Sequence, residues 1–106
     1  MWIIELRFSS VDPVLHAARL EARQAHRDSL AALAADGRLL AAGPLADGSG
    51  AVLVFDVSDR TAVDALVQAD PYFGLPAVEV VSVREWSPVV ERADGRSGAV
   101  GEWVRS

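Results

Sequence analysis

The chain of 106 residues has no cysteine, no lysine, only two histidines and a single methionine. Without cysteine there are no disulfides, no thiolate nucleophile and no Cys-ligated zinc. His16 and His26 are the only imidazoles, too few to favour a zinc or iron site, so no metal and no cofactor is expected. All ten cations are arginines against fifteen acidic side chains, a net charge of -5. That balance argues against nucleic acid or an anionic membrane as partner, because both require clustered cations. No apolar run approaches the ~20 residues that a membrane-spanning helix needs. The opening Met1-Trp2-Ile3-Ile4-Glu5 has no basic leader before an apolar core. The expectation is a soluble, cytoplasmic protein.

What remains is 51% hydrophobic, enough for one folded domain with a modest core. Residues 2–8 alternate as a strand, with Trp2, Ile4, Leu6 and Phe8 on one face and Ile3, Glu5 and Arg7 on the other. Asp12 and Pro13 are helix-start residues, and the helix should run to about Asp36, closed by Gly37. Leu39 to Leu45 reads as a second strand. Residues 46–50 are turn chemistry, and Val52 to Val57 is the returning strand. Ser58 is the expected cap of a second helix reaching Ala69, with Val63, Leu66 and Val67 inward. Asp70-Pro71 stops it, and Val78 to Trp86 is the fourth strand.

The order β-α-β-β-α-β predicts an α+β, ferredoxin-like fold with both helices on one face of an antiparallel sheet. The other face should then be polar if wet. Instead Leu53 and Phe55 oppose Val52 and Val54, and Val81 and Val83 oppose Val78 and Val80. A second copy of the chain is the expected cover, giving a homodimer through the sheet face. The domain is bounded at residues 1–88. Residues 89–106 are charged and Gly-rich in their middle, and read as a C-terminal tail whose Trp103 and Val104 either dock on the body or a partner or end loose.

Leu15, Ala18, Ala22, His26, Ser29 and Leu33 recur at spacings of three and four and form the sheet-facing stripe of the first helix. His26 therefore interrupts an apolar stripe. His16 is about 80° away in helical projection and is expected to be exposed. Arg23 lies one turn before His26. Asp70 falls at the C-terminus of the second helix, where the backbone dipole disfavours an anion, so it marks either a turn or a partner for a histidine. Tyr72 and Phe73 beside it offer an aromatic wall or ordinary core packing. Gly43-Pro44 either ends a strand or permits close approach to a pocket. Glu5, Arg7, Arg84 and Glu85 can make cross-strand ion pairs of little worth when exposed. There is no nucleophile elbow and no phosphate-binding loop.

Arg23-x-x-His26, Gly37, Gly43-Pro44-Leu45, Asp70-Pro71-Tyr72-Phe73 and Glu85-Trp86 come in an order and spacing that resembles the YCII-related family, over roughly residues 1–88. The resemblance implies a dimeric α+β barrel with a site built on His26 and Asp70. One branch of that family is linked to chloride elimination from chlorinated hydroxyhydroquinones. On this reading His26 moves a proton and Asp70 holds the imidazole. Arg23, Gly43 and Tyr72 contact a small-molecule ligand, a cyclic or aromatic acid that is isomerised or undergoes elimination. Two other readings stay open: a module that binds a metabolite without turnover, and a dimerisation domain in which His26 merely packs.

Overall fold

A computed structural model describes residues 1–9 and 11–92 of the chain. The elements are β1 (Trp2–Phe8), α1 (Pro13–Ala35), β2 (Leu39–Pro44), β3 (Gly50–Phe55), α2 (Arg60–Ala69) and β4 (Val78–Glu85). They build one antiparallel sheet in the order β2-β3-β1-β4, the ferredoxin-like α+β fold. The two longest-range pairings, β1 with β3 and β1 with β4, put the first strand at the centre.

The core lies between the sheet and the helices. Ile4 and Leu6 of β1, Leu53 and Phe55 of β3, and Val63 of α2 are buried almost completely. The period-two pattern of β1 is realised as expected, because Ile4 faces Leu53 and Leu6 faces Ala51 across the ladder. Burying such side chains contributes about 1.5–3 kcal/mol each. β3 meets β1 so closely at Gly50 that a Cβ there would be driven into the backbone carbonyl of Leu6. Glycine at that position is therefore a packing requirement of the sheet.

Three expectations need correction. The β4 alternation is broken by an irregularity in the β1–β4 register, where Glu5 pairs Ser82 but Leu6 pairs Val80. Val81 is the extra residue, so Val78 and Val83 both pack against the core instead of facing opposite ways. The α2 cap is Asp59 instead of Ser58: its carboxylate accepts from the Ala62 N–H at 2.8 Å. His16 is half-buried rather than exposed, and its Nδ1 has no partner among the described residues. Of Glu5, Arg7, Arg84 and Glu85, only Arg7 makes a cross-strand ion pair among the described residues, with Glu79 at 3.2 Å on an open surface. Trp103 lies outside the described residues.

The face away from the helices carries Ile3, Val52 and Val54, all half-buried in the single chain, and Val81 and Leu40 near it are exposed. No described helix is long and apolar enough to cross a membrane.

Candidate active site

Helix α1 is held at both ends by local chemistry. Asp12 accepts from the Val14 N–H at 2.9 Å, and Pro13 occupies the first turn. At the other end Gly37 adopts φ +88°. Its N–H bonds the Ala34 carbonyl, and the Arg38 N–H bonds the Leu33 carbonyl at 3.0 Å. This 5→2 and 6→1 pair is a Schellman stop, and it needs a residue free to enter the left-handed region. Between these ends the sheet-facing stripe forms as its spacing predicts. Leu15, Ala18, Ala22, Ser29 and Leu33 are half-buried, and His26 is the helix's one buried residue, at 6% exposure.

Helix α2 delivers the second group. Pro71 forces Asp70 out of helical geometry, and Asp70 takes φ -84°, ψ 136° at the C-cap. Its side chain folds back on the turn, where Oδ1 accepts from the Tyr72 N–H at 2.8 Å. The same oxygen lies 2.6 Å from His26 Nδ1. A carboxylate only accepts, so Nδ1 is the donor, and in the neutral imidazole the lone pair then falls on Nε2. Both side chains are buried, at 8% and 4% exposure for His26 and Asp70. Asp70 Oδ2 is buried without a partner among the described residues, which leaves His26 as the carboxylate's one side-chain donor there. Removing either member of such a pair strands the other, at a cost of about 3–5 kcal/mol if the survivor stays charged.

The imidazole is fixed in a second dimension by Tyr72. The two rings stack with centroids 3.7 Å apart and planes 5° from parallel. Tyr72 in turn presents its edge to Phe8, 5.8 Å between centroids and 86° between planes. Arg19 completes the assembly. Its guanidinium carbon sits 4.2 Å from the centre of the Phe8 ring, and its Nη1 donates to the Tyr72 hydroxyl at 3.5 Å.

This assembly forms one wall of a cavity of about 540 Å³, a volume suited to a small molecule. The cavity lies between α1 and β2, floored by Ala51 and Leu53 of β3. Its origin is a shortage of side-chain volume. Ala31 and Ala34 line it from the helix, and Ala41, Ala42 and Gly43 from the strand. Neither element can fill the gap between them. His26 lines the cavity and Asp70 does not, so the carboxylate stands behind the imidazole, away from the ligand space. His26 Nε2 bonds no described residue. The imidazole borders the cavity with its orientation held from behind by Asp70 and from the side by Tyr72.

All five residues singled out in the sequence thus come to one place. His26, Arg23, Gly43 and Tyr72 line the cavity and Asp70 backs it. Gly43 does so without being required by its neighbours, since a Cβ there would meet nothing within 4 Å. Phe73 takes the other role open to the aromatic pair and packs on the core. Arg19 and Arg27 were missed, although they sit four residues either side of Arg23 and share its helix line. The alanines of α1 and β2 carry no functional group of their own. Their clustering at 31–35 and 41–42, on consecutive elements, was the available signal for a space between those elements.

The family model described as the YCII-related domain matches residues 5–87. A similar solved structure is that of 5-chloro-2-hydroxyhydroquinone dehydrochlorinase from Burkholderia phenoliruptrix AC1100, in complex with 2,5-dihydroxybenzoquinone. It shares 22% identity with this chain at a TM-score of 0.59, and the match covers 82% of this chain and 94% of that one. At that identity the likeness establishes the fold alone. No curated protein matches the chain.

Proposed function

The chain belongs to the YCII-related family, and from that premise we propose that it is a cytoplasmic, cofactor-independent acid–base enzyme acting on a small cyclic or aromatic acid. The observation that carries this reading is the buried 2.6 Å contact between His26 and Asp70, placed so that only the imidazole borders the cavity. An imidazole titrates near neutrality in general, and a base positioned against its substrate contributes about 10²–10⁴-fold in rate.

In this mechanism His26 Nε2 takes a proton from an acidic C–H or O–H of the bound substrate. The electron pair left behind forms a new π bond. Either a leaving group departs with its own electron pair, which is elimination, or the imidazolium returns the proton at another carbon, which is isomerisation. Asp70 acts through His26: it holds Nδ1–H, so that the neutral ring has its lone pair on Nε2, and it stabilises the cation that forms. Tyr72 stacks on the imidazole and blocks ring rotation. Arg23 binds a carboxylate or phenolate of the substrate, and the Gly43 backbone borders the substrate space.

The structural neighbour acts, by its name, on a chlorinated hydroxyhydroquinone, which makes that compound the first to assay. Chloride release and proton exchange from D₂O into a panel of hydroxyquinols and cyclic keto acids are the readouts. Turnover by the native chain that disappears in His26→Ala, with the fold intact, supports the reading. Equal turnover by the two proteins ends it.

The same reading includes a homodimer through the open sheet face. Ile3, Val52, Val54 and Val81 make that face apolar where a wet sheet would be polar. Sedimentation should give twice the chain mass, and Val54→Arg should return it to one.

A further inference from the structure

We propose that the ligand of this cavity is a dianion, two acidic groups on a rigid apolar frame, bound by Arg19, Arg23 and Arg27 as a row. The inference deepens the acid–base reading by using the same cavity, but it concerns binding and is tested without turnover.

The first support is the sign of the lining. The chain carries a net charge of -5, yet the cavity is lined by three arginines and by no aspartate or glutamate among the described residues. The second is that these arginines are unspent. Arg7, Arg38 and Arg60 each pair with a carboxylate within 3.2 Å, whereas Arg19, Arg23 and Arg27 have no ion pair with any described residue. The third is their placement. They recur at i, i+4 and i+8 on α1, so each step rises about 6 Å and the row is about 12 Å long. One carboxylate engages one guanidinium fork, or bridges two at most. A ligand with a single acidic group leaves part of the row unanswered.

The row is also graded in stiffness. Arg19 is half-buried, clamped between the Phe8 ring and the Tyr72 hydroxyl, with Nε buried and partnerless. It is a pre-organised anchor beside the His26–Tyr72 stack. Arg23 and Arg27 are exposed and hold the outer end. Beside the row the cavity is lined by Leu30, Ala31, Ala34 and the aromatic stack, which favours a flat apolar body.

The test is calorimetric titration of the full chain with three probes of one frame: terephthalate, its monomethyl ester and benzoate. Terephthalate should bind about tenfold more tightly than either monoanion, the worth of one charge-assisted contact. A double variant, Arg23→Gln with Arg27→Gln, should erase that advantage, so that terephthalate binds no more tightly than its monoester. Arg19→Gln should weaken all three probes. Arg19→Lys, which keeps the charge on a slimmer side chain, guards against a packing defect and should retain part of the affinity. Equal affinity for terephthalate and its monoester, or no binding of any probe, overturns the dianion. Retained preference for terephthalate in a chain that turns over no substrate would instead count against the acid–base reading alone.

Discussion

The two helices cover the same face of one sheet and meet it in opposite ways. Helix α2 is ten residues long and seals the core: Val63 is fully buried, with Leu66 and Val67 packed beside it. Helix α1 is more than twice as long, yet its one buried residue is a histidine, and a cavity opens along it toward β2. The difference is one of side-chain volume. Branched residues over β1 and β3 close the α2 side, and alanines facing alanines and a glycine leave the α1 side open. The closed packing lies along α2 and the cavity along α1, and the His26–Asp70 pair joins the two helices. A small domain can hold a hollow beside its core if the hollow lies over an edge strand, where less of the core depends on it.

Substitutions can break or sharpen that contrast. The largest effect belongs to His26→Ala, which should lower turnover by about 10²–10⁴-fold while leaving far-ultraviolet circular dichroism unchanged. Asp70→Asn should lose much of that activity through the imidazole's orientation and charge balance, and its pH–rate profile should differ from the native one. Next comes Val63→Ala on the sealed side, expected to cost about 2–4 kcal/mol in urea unfolding. The matched change on the open side, Leu33→Ala, should cost about 1 kcal/mol, because Leu33 is only half-buried. Equal losses at the two positions would erase the distinction between the helices. Ala34→Leu sharpens it from the other direction. Filling the hollow should leave stability unchanged or raise it by up to about 1 kcal/mol, while ligand binding is lost.

The smallest effect lies at the exposed end of α1. Asp36 is held below its ordinary value of 3.8, chiefly by side-chain hydrogen bonds from Arg38, which reach 2.7 Å. A carboxyl with a depressed folded-state value stabilises the fold above its unfolded value, and that contribution is lost as pH falls through the folded one. Asp36→Asn should therefore differ from the native chain above about pH 4, and the difference should fade as pH falls further. Because the pair is solvent-exposed, the difference should sit near the limit of a thermal melt. A large change would mean that α1's last turn carries more of the fold than its exposure implies.

Much of this architecture was legible because it is written in local chemistry. Strand β1 was readable residue by residue from its alternation, and α1 from Asp12-Pro13 at one end and Gly37 at the other. His26 stood out because a polar residue in an apolar stripe needs a partner. Non-local effects escaped the reading. The break in β4 comes from how it meets β1, and nothing in Val78 to Val83 announces that Val81 will be the extra residue. Gly50 resembled any turn glycine, and only the approach of the Leu6 carbonyl makes it necessary. Arg19 looked like a surface cation until Phe8 and Tyr72 closed around it.

By itself, the sequence determined the element order, both ends of α1 and the inward pattern of β1. These follow from hydrogen bonds and periodicities that operate within a few positions along the chain. Only the tertiary structure decided that Asp70, 44 residues from His26, reaches it at 2.6 Å, and that alanines on two elements face across an unfilled space. The reason is physical: a pair distance or a void depends on where two separately stable elements come to rest, which the packing of the whole sheet sets.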